Sequence, residues 1–107
     1  MGILKVNNVM KSIEGGNGVL RVEGDKIIEI ASILSSKTRL EILRRTLNTE
    51  VDVDELAKDI NQSKANTSAQ IRILEKAGLV KTIYKPGVRG VKKICTSNVR
   101  EIIFVLK

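Results

Sequence analysis

Histidine and tryptophan are absent from this 107-residue sequence, and cysteine and proline occur once each. Without histidine, neither imidazole acid–base catalysis nor a Ser-His-Asp triad can operate, so we expect no enzyme. Transition-metal sites draw on histidine and cysteine ligands, so we also expect no metal site and no cofactor. One cysteine cannot form a disulfide within the chain, which favours the reducing cytoplasm as the compartment.

Long apolar runs and aromatic side chains are scarce as well. The longest apolar run has five residues, 102–106, whereas a membrane helix needs about 20. We therefore predict no membrane span. The single tyrosine and single phenylalanine cannot build the stacking platform that is typical of modules for single strands or RNA.

Acidic residues are nearly absent from the second half of the chain. Residues 1–59 carry nine basic and ten acidic side chains, a net charge of −1, whereas residues 60–107 carry ten basic and two acidic side chains, a net charge of +8. A basic half of this kind is typical of proteins that bind a polyanion. The alternative is a solubilising surface without a partner.

Hydrophobic periodicity predicts four helices in the middle of the chain. Asp25 is the expected N-cap of the first helix, and Asp52 with Glu55 forms a capping box that opens the third. Gly78 ends the fourth helix, because glycine accepts the left-handed conformation found after a last helical turn. The predicted helices span about residues 25–34, 37–47, 53–60 and 64–76.

The period changes from helical to β after Gly78. Residues 79–84 and 91–96 are rich in β-branched side chains and are predicted to be strands. Residues 85–90 between them contain the only proline and two glycines, which favours a hairpin loop.

The two ends of the chain lie outside this pattern. Residues 1–24 are predicted to form either an irregular hairpin, with strands at 3–6 and 19–22, or a mobile arm. Residues 97–107 are predicted to form a last helix, opened by a capping box that begins at Asn98.

This last helix would be apolar almost all round, which a small domain cannot bury alone. We expect the excess to meet a second copy of the chain, together with the wide apolar stripe of the first helix, in a homodimer. The alternative is a monomer whose last helix packs beneath residues 1–24. The predicted dimer interface consists of Ile27, Ile28, Ile102, Ile103, Val105 and Leu106.

Three helices, a short turn, a fourth helix and a basic hairpin are together the order of a winged helix-turn-helix, an α+β fold. The fourth helix would project its outer face into a DNA major groove, and the hairpin wing would reach phosphates or the minor groove beside it. The predicted domains are an N-terminal arm (1–24), a DNA-binding domain (25–96) and a C-terminal dimerisation helix (97–107).

Two stretches carry a family resemblance. Residues 34–43 are LSSKTRLEIL and resemble the signature LSdPTRLeIL of ArsR-type winged-helix regulators, while residues 75–80, EKAGLV, resemble a later part of the same pattern. The resemblance spans residues 25–96 and implies a dimeric, cytoplasmic transcriptional regulator of bacterial or archaeal type. Metal-sensing members carry Cys-x-Cys on the helix corresponding to residues 53–60, and this chain has Val-Asp-Glu there, which implies that it does not sense metal ions.

The outward face of the fourth helix is predicted to contact DNA. Small alanine and serine side chains allow close approach to base edges, Arg72 can bond guanine or a phosphate, and Asn66 can pair with adenine. A solvated face without a partner is the alternative. The predicted contacts are Lys64, Ala65, Asn66, Ser68, Ala69 and Arg72.

The hairpin gathers four cations that are predicted to bind DNA as well. Arg89 would enter the minor groove near the tip, and Lys85, Lys92 and Lys93 would lie against phosphates. The alternative is an ordinary hairpin whose edge lysines prevent aggregation.

These features together predict a regulator of transcription that binds double-stranded DNA sequence-specifically, as a homodimeric repressor on a palindromic site. Two other functions stay open at this point. One is an architectural protein that coats DNA with little sequence preference, and the other is a protein-interaction winged helix whose basic wing faces an acidic partner. Mismatched base pairs should separate a regulator from a coater, at about 1–3 kcal/mol for each wrong pair.

Overall fold

A computed structural model describes residues 17–107. Within these residues the chain forms four helices and five strands, in the order β1–α1–α2–β2–α3–α4–β3–β4–β5. The helices are α1 (Lys26–Leu34), α2 (Lys37–Thr46), α3 (Val53–Asp59) and α4 (Lys64–Lys76). The strands are β1 (Val19–Glu23), β2 (Glu50–Asp52), β3 (Lys81–Gly87), β4 (Gly90–Thr96) and β5 (Glu101–Val105). The four predicted helices and the predicted α+β fold are therefore confirmed.

Side-chain caps set the start of three of the four helices. Ser36 and Ser63 each accept a hydrogen bond from the backbone N–H three residues later, at 3.2 and 3.0 Å. Asp52 accepts from the backbone N–H two residues later, at 2.8 Å. Asp25 precedes α1, but its side chain makes no capping hydrogen bond, because its backbone is already helical (φ −65°, ψ −19°). Gly78 ends α4 with a φ of +80°, as predicted.

The core lies where α2, α3 and α4 pack against each other and against the sheet. Ile42, Leu56 and Ile71 are fully buried, one from each of these helices, and Leu79 covers them from the chain after α4. Burying one such side chain contributes about 1.5–3 kcal/mol. This apolar packing holds the inward face of α4 against the core and leaves the opposite face of the helix exposed to solvent.

The wing is the predicted hairpin of β3 and β4, but it is longer than predicted. The antiparallel pairing continues to Gly87 and Gly90, so only Val88 and Arg89 remain at the tip. Pro86 fits inside β3 because β3 is an edge strand, where a missing N–H breaks no hydrogen bond of the ladder. β2, a strand that the sequence pattern did not predict, pairs with the other edge of β4.

The predicted C-terminal dimerisation helix over residues 97–107 is wrong. β5 is a strand that pairs in parallel with β1, from Val19 opposite Glu101 to Glu23 opposite Val105. The β-branched run in this segment favours an extended backbone, and β1 supplies the hydrogen-bond partner that an isolated strand lacks. The strand predicted at 19–22 is thus confirmed, while the one predicted at 3–6 lies outside the described residues.

β1 at one end of the described chain and the segment around β5 at the other end contribute to the same core as the helices. Leu20 and Val22 of β1 are buried together with Val99, and Ile27 and Ile102 pack against this cluster. Among the described residues, no helix is both long and apolar enough to cross a bilayer.

Candidate nucleic-acid interface

The face of α4 opposite the core is open to solvent. Lys64, Ala65, Ala69 and Arg72 are exposed, and Asn66 and Ser68 are half-buried at the sides. The predicted inward residues Thr67, Ile71 and Leu74 are buried. The periodicity of the sequence therefore separates the two faces of this helix correctly.

A short turn sets the direction of α4 relative to α3. The Gln62 N–H donates to the Ala57 carbonyl at 2.9 Å, and Asn61 takes a left-handed φ of +58° to close the turn. The Thr67 hydroxyl then donates to the Ser63 carbonyl at 2.8 Å, inside the first turn of α4. These bonds hold the N-terminal end of the exposed face in a defined position.

The cations predicted to bind DNA fall into two groups. Lys64, Lys85 and Lys92 each face a carboxylate of the β2–α3 segment, whereas Arg72, Arg89 and Lys93 make no ion pair or hydrogen bond within residues 17–107. The Nζ atoms of Lys64 and Lys92 lie 3.6 Å from Asp54 Oδ2 and Asp52 Oδ2, and Lys85 pairs with Glu50.

The sequence pattern did not predict these acidic partners. β2 brings Glu50 and Asp52 beside the wing because it pairs with β4, and Asp54 follows in the first turn of α3. Exposed ion pairs of this kind contribute about 0–1 kcal/mol to stability. Their larger effect is electrostatic, since they lower the positive charge of α4 at Lys64 and of the wing at Lys85 and Lys92.

A line of hydrogen-bonded side chains runs along one flank of α4. Arg39 Nη1 donates to Gln70 Oε1 at 2.6 Å, Gln70 Nε2 donates to Asn66 Oδ1 at 3.1 Å, and Asn66 Nδ2 donates to Gln62 Oε1 at 2.7 Å. We call these four residues the amide ladder. Its signal in the sequence is the four-residue spacing of Asn66 and Gln70, which places their side chains on one side of α4, with Gln62 four residues earlier in the turn.

Five of the six residues predicted to form a dimer interface lie on α1 and β5, and Leu106 directly follows β5. Ile28 is 73% exposed and Leu106 is 86% exposed, and Ile103 is also exposed. Ile27 and Ile102 are turned partly into the core, and Val105 is half-buried. Phe104, which the sequence reasoning left out, adds a further exposed apolar side chain on β5.

Cys95 lies on β4 inside the core and not at this surface. Burial, together with the nearby Glu75 carboxylate and opposed by Lys93, raises the pKa of its thiol to about 12. Within residues 17–107, no three histidine, cysteine, aspartate or glutamate side chains gather in a way that could hold a metal ion.

Comparison with known proteins agrees with this geometry. The family model of the bacterial regulatory proteins of the arsR family matches residues 36–82, which run from the cap of α2 to the start of β3. No curated protein sequence matches the chain.

Several solved structures share the fold. Reduced HlyU from Vibrio cholerae is 25% identical, with a TM-score of 0.60 over 70% of this chain and 75% of its own. NolR from Sinorhizobium fredii is 22% identical, with a TM-score of 0.58 over 68% and 69% of the two chains. A homodimeric winged helix-turn-helix DNA-binding domain from Mycobacterium bovis is 22% identical, with a TM-score of 0.58 over 68% and 64%. The matched family model and the shared fold together show that this chain is similar to the winged-helix regulatory proteins of the arsR family.

Proposed function

We propose that the chain binds double-stranded DNA sequence-specifically, as a homodimer on a palindromic site, and represses transcription there. The observation that carries the proposal is the exposed face of α4. It combines small side chains at Ala65 and Ala69 with Arg72, which has no partner within residues 17–107. Such a face can approach base edges closely and still offer a charged donor.

In this proposal, α4 enters the major groove, which is about 12 Å wide. Arg72 donates two hydrogen bonds to guanine O6 and N7 or binds a phosphate, and the alanine methyl groups contact thymine methyl groups. Lys64 and Ser68 lie at the N-terminal part of the helix, where recognition helices contact DNA. On binding, the ammonium group of Lys64 leaves Asp54 and contacts a phosphate.

The wing adds contacts beside the groove. Arg89 at the tip enters the minor groove, and Lys93 binds a phosphate. Lys85 and Lys92, which face each other across the hairpin, reach phosphates only when they leave Glu50 and Asp52. Arg89 and Lys93 have no such ion pair within residues 17–107.

The homodimer is proposed from the apolar surface of α1 and β5. α1 contacts β1, which pairs with β5, and exposed apolar side chains of this kind are typical of a protein–protein contact. The Mycobacterium bovis domain with this fold is homodimeric. Two-fold symmetry would set two α4 helices about 34 Å apart on a palindrome, and a dimer bound there represses by occupying the promoter.

The experiment that tests this function is selection from a library of random DNA duplexes, repeated across a range of salt concentrations. We expect enrichment of a palindrome whose half-sites are ~10 base pairs apart. Binding that falls with salt but enriches no sequence would replace the regulator with an architectural coater. If the protein does not bind DNA even at low salt, both the regulator and the architectural coater are rejected in favour of a protein-interaction module.

A pair of arginine substitutions identifies the binding face. Arg72→Ala should weaken binding to the selected site by about 1–3 kcal/mol if Arg72 contacts guanine. Arg21→Ala is the control, because Arg21 is equally exposed and lies on β1, away from α4 and the wing. Equal effects of the two substitutions would reject α4 as the recognition helix.

A further inference from the structure

The amide groups of the ladder have one orientation, in which each nitrogen donates to the next oxygen, and Arg39 sets this orientation at one end. A guanidinium group offers five N–H donors and no acceptor. Arg39 is half-buried and donates through Nε to the Ile33 carbonyl at 2.8 Å, so its Nη1 group is held towards Gln70. Gln70 must therefore turn its amide oxygen to Arg39 and its amide nitrogen away.

The same constraint passes along the ladder. Since Gln70 offers its nitrogen to Asn66, Asn66 must present its oxygen, and its nitrogen then points to Gln62. Turning over any one amide would place two donors or two acceptors against each other. The orientation of the terminal group follows: Gln62 uses its oxygen inside the ladder and presents Nε2 to solvent.

Gln62 stands where a recognition helix begins. It is exposed, it precedes the N-cap Ser63, and its own N–H is bound to the Ala57 carbonyl at 2.9 Å. Within residues 17–107, no acceptor is bound to Gln62 Nε2. The ladder thus holds a hydrogen-bond donor of fixed orientation at the N-terminal end of α4.

We infer that Gln62 contacts DNA through Nε2 and that Arg39 is the positioning residue that fixes this donor. The inference rests on the proposed function and deepens it. The ligand is a hydrogen-bond acceptor on the duplex, which is guanine O6 or N7, adenine N7, thymine O4 or a phosphate oxygen. Cytosine N4 and adenine N6 are donors and are rejected at this position.

Asn66 has a different role in this arrangement. Both polar groups of its amide are used inside the ladder, its oxygen by Gln70 and its nitrogen by Gln62. It transmits the orientation set by Arg39, and the contact to the duplex moves from Asn66 to Gln62.

The ladder itself is tested on the free protein by NMR of the side-chain amide groups. We expect the amides of Asn66 and Gln62 to be ordered in the wild type and mobile in Gln70→Leu, which cuts the ladder but keeps the bond from Arg39 to Ile33. Arg39→Met should release the same two amides. Unchanged amide dynamics in Gln70→Leu would overturn the positioning role.

The contact is tested by DNA selection with Gln62→Met, which keeps the length of the side chain and removes the donor. A base contact predicts a lost preference at one base pair and about three- to tenfold weaker binding to the site that the wild type selects. A phosphate contact predicts the same weakening on every sequence. Lys76→Met, at the far end of α4, is the control and should change neither.

The outcomes separate this inference from the proposed function. If the wild type selects a site and Gln62→Met binds that site with the same affinity and the same sequence preference, the inference is overturned and the proposed function stands. A wild type that binds no DNA would overturn both, while the amide dynamics would still report whether the ladder exists.

Discussion

Gly18 is the residue at which the two ends of the described chain meet. Its carbonyl accepts hydrogen bonds from the Arg100 and Glu101 N–H groups, at 2.9 and 3.2 Å, just before β1 and β5 begin to pair. Its φ is +84°, and a Cβ atom there would lie 2.5 Å from the Asn98 carbonyl oxygen. Glycine is therefore required at this position for two separate reasons.

Gly18→Ala should destabilise the protein more than the same change at Gly24. Gly24 also has a positive φ, +62°, but nothing lies within 4 Å of its missing Cβ. We expect a loss of about 1–2 kcal/mol at Gly24 from backbone strain alone, and a larger loss at Gly18, where backbone must shift as well. Urea unfolding of both variants measures this difference, and equal losses would contradict the proposed clash.

Cys95 should behave as an inert core residue. Because burial raises the pKa of its thiol to about 12, the reactive thiolate is scarce at pH 8. We expect iodoacetamide to alkylate the native protein far more slowly than the urea-unfolded protein. Similar rates would show that the thiol is accessible.

The raised pKa of Cys95 also predicts how the free energy of unfolding changes at alkaline pH. The unfolded thiol, with an ordinary pKa of 9.0, loses its proton before the native thiol does. The unfolded state then binds fewer protons, so the free energy of unfolding decreases as the pH rises from about 9 to 12. Cys95→Ala should show a smaller decrease over this range in parallel urea titrations.

At the scale of elements, β2 acts as an acidic strand placed against a basic wing. Glu50→Gln should free Lys85 and remove a carboxylate from the DNA-facing side, so we expect tighter DNA binding at low salt and a steeper salt dependence. Glu23→Gln on β1 removes the same charge elsewhere and serves as the control. Both variants can be titrated with one labelled duplex, and equal effects would mean that only net charge matters.

The helices were predictable from sequence because their signals are local. Apolar spacing of three and four residues, the caps at Ser36 and Ser63 and the stop at Gly78 all act within one or two turns. The hairpin was predictable for the same reason, since its strands adjoin in sequence. The outward face of α4 follows directly from these local rules.

The parts that were missed depend on partners far away in the chain. Residues 102–106 form an apolar run too short to distinguish helix from strand, and the strand that β5 pairs with, β1, lies about 80 residues earlier. β2 is a three-residue, polar strand that exists only through its pairing with β4. The direction of the amide ladder comes from Arg39, which is 31 residues from Gln70.

At the scale of the whole molecule, the two proposed binding surfaces are built from different elements. α4 and the β3–β4 wing carry Arg72, Arg89 and Lys93, which make no ion pair within residues 17–107. α1 and residues 103–106 carry exposed apolar side chains, although the wing also exposes Val88 and Val91. The helix predicted for dimerisation is absent, but two of the apolar residues assigned to it are still exposed, Ile103 on β5 and Leu106 directly after it. The dimer interface stays a proposal.

A charge placed on this apolar surface should separate the two chains. Ile28→Lys and Leu106→Lys put an ammonium group where a second copy is proposed to pack, so we expect sedimentation to show a dimer for the wild type and monomers for both variants. Val88→Lys is the matched control, because Val88 is 98% exposed at the wing tip and lies outside the proposed interface. A monomeric wild type would reject the homodimer.

The monomeric variants also test how dimerisation serves DNA binding. Each monomer keeps α4 and its wing, so binding to a single half-site should match that of one wild-type protomer. Binding to the full palindrome should fall by 10²–10⁴, because the second α4 no longer benefits from the effective concentration that the dimer provides. If Ile28→Lys instead bound the palindrome as tightly as the wild type, each protomer would recognise DNA alone, and the palindrome would reflect two independent sites.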